Sequence, residues 1–112
     1  MQQTPQQETI LSILNARITL AKAEFNTLIE DRRMDLKKRA DRLEAVAKNL
    51  SDLKTLKLRY MTEVRYQNTY RAALKKGVWQ GKPLTEQTRG DVRALLAIAE
   101  DNLAEIEAEV RG

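Results

Sequence analysis

TPQQETILSILNARITLAKAEFNTLIEDRRMDLKKRADRLEAVAKNLSDLKTLKLRYMTEVRYQNTYRAALKKG, residues Thr4 to Gly77, holds proline only at its second position and glycine only at its last. These two residues interrupt helices, so their absence from Gln6 through Lys76 leaves the whole stretch open to helix. Its ends carry the matching signals. Thr4-Pro5-Gln6-Gln7 reads as a capping box, with Thr4 accepting from the Gln7 backbone N–H, Gln7 reaching back, and proline at the first helical position. Lys75 and Lys76 complement the negative end of the helix dipole, and Gly77 can adopt the left-handed conformation that ends a helix. Unbroken, ~70 residues of helix would span ~105 Å.

The apolar pattern divides that length. Leu11, Leu14, Ile18, Ala21, Phe25 and Leu28 step by three and four, a heptad seam that Ile10, Ile13 and Ile29 widen. The next seam position is Arg32, and the pattern resumes one residue late at Leu36. This eleven-residue step from Phe25 is either a stutter in one helix or a bend near Glu30-Asp31-Arg32-Arg33, and the bend is the preferred reading. From Leu36 the second seam runs through Leu43, Val46, Leu50, Leu53, Leu56, Tyr60 and Val64. Asp35 with Arg39 and Glu44 with Lys48 stand at favourable i,i+4 spacing. Leu58 and Met61 lie opposite Leu56, a width that predicts cover from two directions. Gly77-Val78-Trp79-Gln80-Gly81-Lys82-Pro83 is a loop suited to joining antiparallel helices. A third seam follows: Val92, Leu96, Ala99, Leu103, Ile106 and Val110, with Thr85 or Thr88 as cap. The expected fold is all-α, a long antiparallel helical hairpin or three-helix coiled-coil-like bundle. It is expected as one domain, with helices at about 5–31, 34–76 and 85–111 and a loop at 77–84.

Composition narrows the function. Of 112 residues, 32% are charged and 4% aromatic, with neither cysteine nor histidine. That removes disulfides, thiolate metal sites and the commonest general base. The acids Glu100, Asp101, Glu105 and Glu109 flank the third seam rather than converging from separate helices, so no divalent-metal site is expected. Neither an enzymatic role nor a cofactor is expected. Met1-Gln2-Gln3-Thr4 lacks the features of a secretory signal, and no apolar run reaches membrane-spanning length, so a cytoplasmic, membrane-free setting is expected.

The net charge of +4 conceals a division. Residues 54–82 carry eight cations against Glu63 alone, whereas residues 83–112 carry seven acids against three arginines. Two readings follow. Opposite charges can align the last two helices in antiparallel register. Alternatively, Lys54, Lys57, Arg65, Arg71, Lys75 and Lys76, which share one broad side of the helix, can contact nucleic-acid phosphates. Tyr66 and Tyr70 fall nearly opposite those cations, which argues against a single-strand stacking platform. The run Arg32, Arg33, Lys37, Lys38 and Arg39 scatters around its helix and reads as solvated surface.

Trp79, the single tryptophan, either plugs the open end of the hairpin or anchors a partner. Arg39, Lys57, Gln67 and Arg71 occupy seam positions where a closed core prefers apolar groups; such residues set register or mark a bundle that opens to water. The preferred function is a non-catalytic protein-interaction module, an adaptor, inhibitor, chaperone or assembly factor. Its expected partner surface comprises Phe25, Leu28, Tyr66, Tyr70 and Trp79. A chain this slender also predicts self-association, with a dimer favoured. Nucleic-acid binding is the alternative.

The segment Tyr66-Gln67-Asn68-Thr69-Tyr70-Arg71 resembles one in flagellar and type III export stalk proteins. Those are long antiparallel hairpins that act as export chaperones and ATPase couplers. The resemblance is confined to residues 66–71. A glycine-rich loop and a shorter acidic helix stand here in place of that family's long second helix, so no residue roles are carried over.

Overall fold

A computed structural model describes residues 4–112. The chain is all-α apart from one small ribbon: α1 (Pro5–Glu30), α2 (Leu36–Lys76), β1 (Val78–Trp79), β2 (Lys82–Pro83) and α3 (Glu86–Arg111). It divides into two compact units, Thr4–Leu58 and Arg59–Gly112, and α2 contributes to both.

In the first unit, α1 and the opening turns of α2 form an antiparallel hairpin. Thr4 Oγ1 accepts from Gln7 N at 3.1 Å, and Gln7 Oε1 accepts from Thr4 N at 3.0 Å. This reciprocal box satisfies two backbone donors that the first helical turn cannot pair internally, and Pro5 begins the helix without needing one. Ile10, Leu11, Leu14, Ile18, Ala21 and Leu28 are buried at three- and four-residue steps.

Helical geometry stops at Asp31–Asp35. There Asp31 Oδ1 accepts from Arg33 N at 3.0 Å, a local turn that competes with continued helix. Arg39 Nη1 donates to the Asp31 carbonyl at 2.8 Å, tying α2 to the end of α1. Across the hairpin, Arg42 pairs with Glu24 at 2.9 Å. Among the described residues, these contacts stand in place of the Asp35–Arg39 and Glu44–Lys48 pairs that spacing alone predicts. Leu36, expected to resume the seam, is exposed at the first helical position of α2; Val46 is the buried residue further along.

In the second unit, the later part of α2 packs antiparallel to α3. Tyr60, Val64 and Ala73 are buried on α2, and Val92, Ala99, Leu103, Ile106 and Val110 on α3. The buried Gln67 is hydrogen-bonded, and among the described residues no buried side-chain nitrogen or oxygen lacks a partner. Leu58 and Met61 depart from expectation, being 66% and 40% exposed. The buried positions Tyr60, Val64 and Gln67 follow one stripe of α2, and a helix turns residues 58 and 61 away from that stripe.

The segment expected as a loop contains a two-stranded antiparallel ribbon, pairing Val78 with Pro83 and Trp79 with Lys82. Gly77 ends α2 at φ 72°, donating from N to Ala73 O at 2.8 Å; its own carbonyl accepts from Leu84 N at 2.8 Å. Gln80 and Gly81 join the strands with φ of 54° and 76°. Positive φ at both central residues is the type I′ arrangement, whose twist matches that of paired strands. Thr85 then caps α3: its Oγ1 accepts from Thr88 N at 3.1 Å, and Thr88 Oγ1 accepts from Thr85 N at 2.7 Å. Threonine thus fills the box position that glutamate or glutamine usually occupies.

Left-handed backbone costs an ordinary L-residue roughly 1–2 kcal/mol, and asparagine tolerates it best after glycine. Gln80→Asn should therefore raise the melting temperature, whereas Gly81→Ala should lower it. Thermal unfolding followed by circular dichroism reads both, and a Gln80→Asn variant no more stable than the parent would contradict the turn assignment.

Candidate partner-binding face

Tyr66 and Tyr70 stand four residues apart on α2 and therefore on one side of it. Their rings stack with centroids 6.1 Å apart and planes 15° from parallel. Trp79, held in β1, meets Tyr70 edge-on at 6.4 Å and 73°. Both arrangements suit the negative face and positive edge of aromatic rings. The result is a continuous run of three rings from the helix surface to the ribbon. Tyr66 is exposed, whereas Tyr70 and Trp79 are half-buried. Trp79 thus packs against Tyr70 while remaining partly open to solvent.

The other two residues expected on a partner surface lie in the first unit. Leu28 is buried inside its hairpin and offers no surface. Phe25 is half-buried and lines a shallow groove with Ala47, Leu50, Ser51, Lys54 and Thr55. Phe25 and Leu28 belong to the Thr4–Leu58 unit; within the Arg59–Gly112 unit the structure gathers Tyr66, Tyr70 and Trp79.

The cations are also distributed. Arg71 pairs with Glu100 at 3.3 Å, both side chains about half exposed. Lys57 is half-buried, Lys54 borders the Phe25 groove, and Arg65, Lys75 and Lys76 are exposed. Arg71–Glu100 is the ion pair across the α2–α3 hairpin among the described residues. Charge alignment of these helices is accordingly thin, and an exposed pair of this kind contributes about 0–1 kcal/mol.

Three further contacts cross the hairpin, each with a charged group on one side only, and sequence reasoning did not find them. The fully buried Tyr60 donates its hydroxyl proton to Glu107 Oε1 at 2.9 Å, and Asn102 Nδ2 donates to Glu63 Oε1 at 3.3 Å. The available signal was a tyrosine at a core position, since a buried phenol needs an acceptor. At the ribbon end, the Arg89 guanidinium reaches back to the Leu74 carbonyl at 3.5 Å, placing a cation at the negative end of α2.

Burial pushes the Tyr60 phenol well above the usual tyrosine range; the hydrogen bond to Glu107 and its negative charge add to the shift, and Arg111 opposes it. Among the described residues, no group of three or more acids is gathered to hold a metal ion, and no helix is long and apolar enough to cross a membrane. No protein-family model matches the chain, and neither does any curated protein or solved structure. The resemblance of residues 66–71 to the export stalks rests on that segment alone.

A phenol whose folded-state pKa exceeds its unfolded value stabilises the fold fully below the unfolded value, and that contribution is lost as pH rises above it. The melting temperature of the wild type should therefore fall more steeply above pH ~10, the unperturbed tyrosine value, than that of Tyr60→Phe. At neutral pH the same substitution should cost about 1.5–3 kcal/mol for the lost hydrogen bond to a charged carboxylate. Parallel pH profiles for the two proteins would contradict the Tyr60–Glu107 assignment. Separately, Trp79→Ala should destabilise the fold by about 1 kcal/mol through the lost ring contact, in addition to any lost burial, read by urea denaturation.

Proposed function

We propose that the chain is a non-catalytic protein-interaction module that binds a partner through the aromatic run Tyr66–Tyr70–Trp79. Roles as adaptor, inhibitor, chaperone or assembly factor all use such a surface. The observation that supports this reading is a closed core beside open rings. Tyr60, Val92, Ile106 and Val110 are almost wholly buried, so this unit has an interior that does not need Tyr66, yet Tyr66 stacks on its neighbour with nearly half its surface in water. Rings preordered by their neighbours lose little conformational freedom on binding, and tyrosine and tryptophan dominate binding hot spots.

Tyr66→Ala and Trp79→Ser separate support from binding. Each should keep its helical circular dichroism while losing a protein that co-purifies with the tagged wild type from its native cell extract. Folded variants that retain the same co-purifying protein would refute the reading.

A nucleic-acid role has one observation in its favour. Arg65, Lys75 and Lys76 are exposed and make no ion pair among the described residues. Phosphate contact through them predicts a gel shift on duplex DNA or RNA whose affinity falls steeply with salt. No shift at low salt would dispose of it.

A further inference from the structure

The Arg59–Gly112 unit carries opposite charges on its two helices and uses few of them internally. Residues 59–76 hold five cations and one acid, and α3 holds three cations and seven acids. Of these, Arg71 and Glu100 form an ion pair across the hairpin. Glu107 is engaged with the Tyr60 hydroxyl. Glu63 accepts from Asn102, and Arg89 reaches the Leu74 carbonyl. On α2, Arg65 is exposed one turn beyond the exposed Met61; on α3, Asp101 and Glu105 are exposed one and two turns beyond the exposed Ile98.

An exposed apolar residue thus stands beside a cation on α2, Met61 with Arg65, and beside acids on α3, Ile98 with Asp101 and Glu105. The α3 face also carries exposed alanines at 97 and 104, which allow another helix to approach closely. Two copies of the α2 face repel each other, as do two copies of the α3 face. An α2 face against an α3 face satisfies both charge and apolar burial.

We propose that the outer α2 face of one copy, Met61 and Arg65, docks on the outer α3 face of another, Ile98, Asp101 and Glu105. The contact uses neither Tyr66, Tyr70 nor Trp79 and names one partner: a second copy of the chain. Because it uses two different patches, it is heterologous, and each added copy presents the same free patches again unless a ring closes. Assembly then proceeds beyond the dimer with rising concentration and reverses as salt screens the charges.

Charge inversion tests this directly. Ile98→Lys with Asp101→Lys makes both outer faces basic; Met61→Glu with Arg65→Glu makes both acidic. Size-exclusion chromatography with light scattering at low salt should show the wild type growing in mass with concentration. Each double variant alone should assemble at least about tenfold more weakly, and a 1:1 mixture of the two should recover assembly. The single substitutions Asp101→Lys and Arg65→Glu serve as milder forms, with circular dichroism confirming the fold of each. A wild type that stays monomeric at every concentration would overturn the proposal. So would assembly that survives both inversions, or folded variants whose mixture stays monomeric. None of these substitutions alters Tyr66, Tyr70 or Trp79, so failure here leaves the aromatic-face reading standing, and loss of that reading leaves this contact standing.

Discussion

The unbroken hydrogen-bond ladder of α2 is the constraint on which the rest of the structure depends. From Leu36 to Lys76 no residue withholds a backbone donor or favours a turn strongly enough to stop the helix. One helix thus supplies a wall to two antiparallel hairpins, one with α1 and one with α3. A helix buries a stripe rather than its whole circumference. Val46, Tyr60, Val64 and Ala73 are spent on the interior, and Leu58, Met61 and Tyr66 are left outside by the same geometry. The exposed apolar groups and the exposed cations of α2 are consequences of its length.

The polar residues at seam positions acquire specific meanings from this arrangement. Arg39 binds the Asp31 carbonyl and fastens the connector between α1 and α2. Arg71 reaches Glu100 at the rim. Gln67 is buried with its hydrogen bonds made. A buried amide left unpaired would cost about 1–3 kcal/mol, so pairing is what makes the position tolerable. Tyr60 and Glu107 constrain α2 against α3, because the phenol finds its acceptor in that register. Register in the second hairpin is consequently held more by hydrogen bonds than by the large charge difference between its helices.

What could be read from sequence was what is local. The Thr4–Gln7 box depends on residues three apart, and so does the Thr85–Thr88 cap, although the sequence left two candidate caps for α3. The phase slip between Phe25 and Leu36 pointed to the place where helical geometry stops, because a one-residue delay moves a seam off its face. The all-α class followed from the three seams. What could not be read depends on distant partners. Arg39 was assigned to Asp35 because helical spacing allows it, whereas the connector brings the Asp31 carbonyl within reach. Leu58 and Met61 were expected to be covered because width of apolar surface says nothing about which side a neighbour occupies. The ribbon was missed because Gln80-Gly81 lacks the asparagine or aspartate that usually marks its turn. Among the proposed partner residues, Leu28 was a buried seam residue, and the three rings near the ribbon came together.

The placement of the single tryptophan gives the molecule an internal optical reporter. Every tyrosine lies in the Arg59–Gly112 unit with Trp79, whereas Thr4–Leu58 contains phenylalanine as its sole aromatic type. Light absorbed by Tyr66 or Tyr70 is within short range for energy transfer to the indole beside them. Intrinsic emission consequently watches one half of the chain and is nearly blind to the other. Loosening of the first hairpin would register in helicity while leaving the fluorescence of the second almost unchanged.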